Sequence, residues 1–361
     1  MPLVPSYIKN LKSYKPGKTI SEARKIYNIK NFIKLASNEN PLGPSPKSLK
    51  AIKSIISNIH RYPDSIGLKL RKKLASKYNI KIENVILGSG SEGIMSTIMR
   101  TFLLNDDELI SASNSFIGFK VLAKASGRKV HWVPMKNNRY DLNKISKKIN
   151  DYTKIIYIAN PDNPTGTYIT KNEFDIFYKS IPERVLIILD EAYFEYAKYC
   201  KNYPNSMNYR YDNVITLRTF SKAYGLAGIR IGYGFAHKQL IKSLLKVKAP
   251  FEPSILAQAA ALAALDDQSF LKKSIDTNNK GIQYLKNQFK KQKINFISTS
   301  TNFITTIWPS EKIANKITND LLKEGIIVRQ LNAFGLPNYI RISVSVKREN
   351  EKFIKSLKKV L

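Results

Sequence analysis

Cysteine occurs once in this chain, at Cys200, and acidic residues are scarce, with 27 Asp and Glu against 60 Lys and Arg in 361 residues. A lone thiol cannot close an internal disulfide, so a disulfide-stapled scaffold is excluded and a reducing cytoplasm is the expected compartment. Long hydrophobic runs are missing too. The longest strongly apolar stretch, Ile255 to Leu265, is Ala-rich, interrupted by Gln258 and too short to span a bilayer, so it reads as a buried helix and no membrane partner is expected. The N-terminus carries no basic segment followed by an apolar core and a small-residue cleavage site. Internal repeats and low-complexity segments are absent, and no metal is expected.

The scarcity of acid leaves a formal charge of +33. A basic chain can bind nucleic acid or anionic membranes. Here the lysines are scattered from Lys9 to Lys291 without a zinc-finger, basic-zipper or RNA-recognition pattern, and they accompany abundant Ile and Asn, as an AT-rich genome would produce. No nucleic-acid partner is expected; a positive field that draws in phosphorylated small molecules is the weaker functional reading.

With 43% apolar residues, the chain can bury a large domain and a smaller one. An irregular arm, 1–33, with one short helix around Ser21 to Tyr27, leads into a Pro- and Gly-rich loop, Ala36 to Pro46. Helices follow at about Pro46 to Asn58 and Ile66 to Tyr78. Strands and helices then alternate as in a doubly wound α/β sheet: Val85 to Leu87, Leu109 to Ala112, Val130 to Pro134, Lys154 to Ala159, Val185 to Leu189, Val214 to Arg218 and Ile231 to Phe235. Beyond Pro250 and Pro253, longer helices precede strands near Phe296, Phe303 to Ile307, Ile326 to Arg329 and Tyr339 to Val344. This predicts a large domain over 34–255 and a smaller α+β domain over 256–361.

Three segments follow buried-strand patterns and carry chemistry: Asn163-Pro164-Thr165-Gly166, Asp190-Glu191-Ala192-Tyr193, and Ser221-Lys222 followed by Arg230. Ligands of open α/β sheets gather outside those carboxyl ends. A lysine there can form a Schiff base with an aldehyde cofactor, and an aspartate can pair with a pyridinium nitrogen, so the three together describe a pocket for pyridoxal 5'-phosphate. Lys222 is the candidate Schiff-base lysine and acid/base catalyst; its context, not its type, separates it from a solvated surface lysine. Asp190, costly at an apolar strand end without a cation, pairs with the ring nitrogen or else caps a helix. Tyr193 and Asn163 are placed to reach the cofactor's phenolic oxygen. Gly88-Ser89-Gly90-Ser91-Glu92-Gly93 opens a helix whose first amides, those of Gly90, Ser91 and Glu92, suit a phosphate, with Ser221 and Arg230 completing the cup. Phe116 reads either as a stacking partner for the pyridine ring or as ordinary core.

These segments, with Val4-Pro5-Ser6-Tyr7-Ile8, Tyr14-Lys15-Pro16-Gly17-Lys18, the Asn38-Glu39-Asn40-Pro41 loop and His60-Arg61-Tyr62-Pro63-Asp64, resemble the histidinol-phosphate aminotransferase family over essentially the whole chain. That family belongs to the fold-type I, aspartate aminotransferase-like pyridoxal-phosphate enzymes. The resemblance implies amino transfer between L-glutamate and imidazole-acetol phosphate, giving L-histidinol phosphate and 2-oxoglutarate, in histidine biosynthesis. It also implies a homodimer in which Tyr62 reaches the partner's cofactor phosphate, and a substrate site formed by Tyr14, Asn38, Asn40, Tyr62, Asn163, Arg329 and Arg341. Arg341, in Tyr339-Ile340-Arg341-Ile342-Ser343, matches the arginine that grips the substrate's anionic group. The chain departs from many members in having Phe116 where they have Tyr, which keeps the aromatic face and loses a hydroxyl. Aromatic amino-acid transamination is the nearest alternative activity, followed by threonine-phosphate decarboxylation. A cofactor-sensing transcription regulator would need a DNA-binding module, for which the match from near Met1 leaves no room.

Overall fold

The computed structural model describes residues 3–11, 13, 19–27, 29, 31–208 and 212–361. Its centre is a seven-stranded sheet in the spatial order Val85–Gly88, Gly232–Phe235, Val214–Thr219, Leu186–Asp190, Thr153–Ala159, Glu108–Ala112 and Lys129–Val133. The strands pair in parallel except Gly232–Phe235, which runs antiparallel to both neighbours. The link from Thr219 to Gly232 contains only the one-turn 3-10 helix Ala227–Ile229, so no crossover helix returns the chain for a parallel pairing.

The central strands are apolar on both faces because helices cover both. Ile155, Tyr157 and Ala159 face a layer that includes Ile94, Met95 and Ile98 of helix Gly90–Phe102 and Ile241 and Leu244 of helix Lys238–Val247. The alternate residues Ile156 and Ile158 pack with Phe174 and Phe177 of helix Lys171–Lys179. Period-two alternation therefore serves two cores rather than a core and a solvent face. The Ile255–Leu265 helix is buried, as its composition requires, with Ala257, Ala260, Ala261 and Ala264 packed among Leu70, Tyr224 and Tyr233. No helix among the described residues is long and apolar enough to cross a membrane.

A second, four-stranded sheet in the order Arg329–Leu331, Leu336–Ser343, Phe303–Ile307 and Asn295–Phe296 is antiparallel throughout. The expected single strand from Ile326 to Arg329 divides: Ile326–Ile327 pairs in parallel with Ile33–Lys34, and only Arg329–Leu331 joins the larger ladder. The arm holds a four-residue helix, Ser6–Lys9, in addition to the expected one at Ile20–Tyr27.

Candidate active site

The ends of the parallel strands position the chemistry. Thr219 closes its strand, and the chain turns sharply: Phe220 N–H donates to Ile231 O, Gly225 N–H to Lys222 O and Leu226 N–H to Phe220 O. Gly225 has φ +70°, and a Cβ there would lie 2.1 Å from the carbonyl oxygen of Gly43, so the loop after Lys222 packs backbone to backbone on the loop that carries Asn38 and Asn40. The turn presents Lys222 half-buried, its Nζ 3.5 Å from Ser37 O and 5.7 Å from the Tyr193 ring centroid. Burial, then the nearby Arg341 charge, pulls its pKa down to about 8.

A cavity of about 180 Å³ opens in front of it, lined by residues that include Lys222, Asp190, Tyr193, Asn163, Phe116 and Arg230. Ser91, Glu92 and Ser221 line it too. Asp190 is buried at the strand end; it accepts from Tyr157 Oη at 2.8 Å and from Ala192 N–H at 3.1 Å. Burial pushes its carboxyl up to about 6 despite those donors. Such a group gains from a cation placed against it. Tyr193 accepts from Asn38 Nδ2 at 2.8 Å, which leaves its own proton to donate, and burial holds it protonated by pushing its pKa up to about 12.

The far end of the cavity has the makings of an anion cup. Helix Gly90–Phe102 begins after Ser89, whose side chain makes no capping hydrogen bond, and a Cβ on Gly90, at φ +77°, would stand 2.5 Å from Arg230 Nη2. The helix start and the guanidinium thus approach as closely as glycine permits. Arg230 itself sits at φ +56°, a strained backbone for a non-glycine residue, and donates to Ser221 Oγ at 3.4 Å and Ala227 O at 3.0 Å. Cationic donors and helix amides, a buried carboxylate and an amine lining one cavity fit a flat molecule with a phosphate, an aldehyde and a ring nitrogen.

Arg341 is buried and reaches the cavity through Asn163, donating from Nη1 to Asn163 Oδ1 and from Nη2 to Ala36 O at 2.7 Å. The ladder register sets Arg329 directly across from Arg341, but Arg329 lines a separate, larger cleft alongside helix Ile117–Ala125 rather than the Lys222 cavity. Asn38 joins the site through Tyr193 and is fixed by Ser343, whose Oγ accepts from Asn38 N–H at 2.8 Å. Asn40 does not: its Nδ2 donates to Ala223 O and Ser274 Oγ, both at 2.9 Å, and its Oδ1 accepts from Leu42 N–H. It braces the loop on which Lys222 rests. Tyr62 is 79% exposed, stacked on Phe251 with centroids 4.3 Å apart, and does not line its own chain's cavity. Tyr14 lies outside the described residues.

Two buried features stand beside the site that the sequence pattern alone does not single out. Arg218, on the strand that leads to Lys222, pairs at 2.8 Å with Glu191, the residue after Asp190, both side chains being fully buried. Asp162, next to Asn163, is also buried and binds Ser115 and Thr165. The local signal for the first was Arg218, a charged residue inside the otherwise uncharged strand Val214–Thr219; Asp162 gave none, since Asp is an ordinary turn residue.

Residues 30–357 match the family model for aminotransferase class I and II. The chain is 38% identical over 361 residues to histidinol-phosphate aminotransferase 2 of Carboxydothermus hydrogenoformans, covering 99% of each. It is 39% identical to histidinol-phosphate aminotransferase of Moorella thermoacetica, over 98% of this chain and 92% of that one. Among solved structures, histidinol-phosphate aminotransferase from Sinorhizobium meliloti in complex with pyridoxal-5'-phosphate superposes with a TM-score of 0.91 at 27% identity, covering 100% of this chain and 98% of that one. Aspartate aminotransferase from Thermus thermophilus with maleate, at 18% identity and a TM-score of 0.86 over the whole of both chains, shares the fold.

Proposed function

The chain belongs to the aminotransferase class I and II family, and we propose that it transfers an amino group reversibly between L-glutamate and imidazole-acetol phosphate, yielding L-histidinol phosphate and 2-oxoglutarate. The observation that carries this reading is the convergence of Lys222, Asp190 and Arg230 on one cavity in a chain 38% identical, end to end, to a histidinol-phosphate aminotransferase. Pyridoxal phosphate, when bound, supplies an aldehyde that accepts the amino group and a protonated ring that withdraws electrons from the substrate's α-carbon.

The residues divide the remaining work. Arg230, Ser221 and the amides that open helix Gly90–Phe102 hold the phosphate. Asp190, already raised to about 6 and so poorly solvated as an anion, keeps the ring-nitrogen proton in place. With Asn163 Oδ1 engaged by Arg341, the remaining polar group of Asn163 is the Nδ2 donor, which with Tyr193 Oη serves the phenolic oxygen. Phe116 covers the ring face. Lys222 Nζ, near 8, moves a proton to and from the α-carbon with little cost in either direction around neutral pH. Because glutamate and the phosphate ester use the site in turn, kinetics should be ping-pong.

Arg341 is assigned to the substrate's anionic group; Arg329, opposite it in the ladder, lines the neighbouring cleft and is given no part in that contact. Arg341→Gln is expected to raise KM for L-glutamate and for L-histidinol phosphate by about tenfold or more, the loss of a charge-assisted, two-pronged contact. A change confined to kcat would remove Arg341 from substrate binding.

The same reading makes the protein a cytoplasmic homodimer with shared sites. The exposed Tyr62, beside exposed Ile59, Ile66 and Phe251, is the side chain assigned to the partner's cofactor phosphate. Tyr62→Phe is expected to weaken cofactor affinity about tenfold or more, as one hydrogen bond to a charged group warrants, without altering the melting temperature of the apoprotein. Unchanged affinity would contradict the shared site.

The direct test of substrate is initial-rate measurement with 2-oxoglutarate as acceptor. L-histidinol phosphate is expected to give the highest kcat/KM, well above L-phenylalanine. Preference for phenylalanine would make this an aromatic aminotransferase, and release of carbon dioxide from threonine phosphate would make it a decarboxylase.

A further inference from the structure

Asp162 takes no part in the chemistry just assigned, yet its carboxylate is completely buried and richly bonded. Oδ1 accepts from Ser115 Oγ at 2.6 Å; Oδ2 accepts from Thr165 Oγ1 at 2.9 Å and Thr165 N–H at 3.2 Å. With the Ser115 proton directed at Asp162, Tyr140 Oη, 2.6 Å from Ser115 Oγ, must be the donor in that pair, while it accepts from Ala159 N–H at 2.9 Å. One carboxylate thereby orients three hydroxyls and connects three segments. They are the strand end at Ala159, the turn whose next residue after Ser115 is Phe116, and the turn whose next residue after Asp162 is Asn163.

Phe116, Ala159 and Asn163 all line the Lys222 cavity. Asn163 in turn receives Arg341. Resting on the reading of this cavity as a pyridoxal-phosphate site, we propose that Asp162 is the positioning residue that sets Phe116 and Asn163 in register with one another, so that the ring face and the phenolic oxygen are engaged together. A hydroxyl or amide network centred on an apolar residue could not do this, since each donor would turn to a different acceptor. Burial raises the Asp162 carboxyl to about 6, so at the pH of assay it is ionised and acts as an acceptor to all three donors.

Removing the carboxylate leaves Ser115 and Thr165 with buried, unmatched donors and lets the two turns move independently. Asparagine at this place retains one oxygen for Thr165 and offers Nδ2 to Ser115 Oγ, which can accept once its own proton turns away. The test compares wild type, Asp162→Ala, Asp162→Asn and Ser115→Ala, each as apoprotein reloaded with pyridoxal 5'-phosphate. Cofactor affinity and the pH midpoint of the bound cofactor's absorbance are the readouts. Asp162→Ala is expected to lose about tenfold or more in affinity and to shift the midpoint upward by roughly one pH unit, because the phenolic oxygen loses a donor that stabilises its charge. Ser115→Ala should move both readouts in the same direction by less, and Asp162→Asn should restore most of the affinity. Should Asp162→Ala fail to fold, Ser115→Ala decides by the same criteria. Unshifted affinity and midpoint in Asp162→Ala, or in Ser115→Ala where Asp162→Ala does not fold, with wild type loading normally, would overturn the role of Asp162. Wild type that does not load would instead overturn the cofactor site itself.

Discussion

Lys222→Ala should abolish amino transfer, lowering kcat by about 10⁴-fold or more, since one side chain both holds the cofactor aldehyde and carries the proton at the α-carbon. The structure gives the effect a pH signature. The Lys222 amine is pulled down to about 8 by burial, then by the Arg341 charge, with Arg230 adding to it. The neutral amine is the nucleophile. The rate at which wild-type apoprotein captures cofactor should therefore rise with pH up to about 8 and level off above it, while Lys222→Ala should show neither the capture nor the profile. Rapid-mixing absorbance measures the first, and steady-state rates the second. Lys222→Ala turning over substrate near the wild-type rate would refute the assignment.

Asp190→Asn should separate activity from stability in opposite directions. An amide cannot balance a ring-nitrogen proton, so kcat is expected to fall by roughly 10²- to 10⁴-fold, the range for loss of a positioned acid/base partner. The apoprotein should gain stability. The carboxyl has a folded-state pKa raised from 3.8 to about 6. A raised acid favours the protonated folded protein, so its contribution is fully favourable below about 4 and is lost as pH rises through about 6. Above that the buried charge costs roughly 3 kcal/mol. Asp190→Asn apoprotein should therefore melt higher than wild type at pH 8 and show no such advantage at pH 4. Saturating cofactor should narrow or reverse the pH 8 difference, because the pyridinium compensates the wild-type charge. A variant less stable than wild type at pH 8 would show that Asp190 is not strained in the free protein.

Much of this site is written locally. Short branched runs ending in Asn163, Asp190 and Ser221-Lys222 announce strand ends, and the sheet brings those ends together because its strands are parallel. The glycines around Ser89 announce a helix start, and Gly90 proves to face Arg230. What the sequence did not disclose depends on pairs far apart in the chain. Gly232–Phe235 looks like any buried strand, and its direction follows from the connection before it. Asn38 and Asn40 stand in one loop and look alike. Tyr193 and Ser343 turn the first toward the cavity, while Ala223 and Ser274 hold the second in the scaffold. Arg329 and Arg341 lie on adjacent strands in register, yet Arg341 bonds Asn163 of the Lys222 cavity while Arg329 lines the neighbouring cleft. Asp162 reads as a turn residue until Ser115, distant in sequence, is seen to donate to it.

The central claim is that Lys222 is the cofactor's attachment point, and the most direct measurement is chemical. The wild-type protein is loaded with pyridoxal 5'-phosphate, treated with borohydride to fix an aldehyde carbon joined to a lysine amine, digested and mapped by mass spectrometry. The account predicts the reduced cofactor on the peptide containing Lys222, at close to one per chain, and its disappearance when L-glutamate is added first. Label spread over other lysines, or none at Lys222, would contradict it.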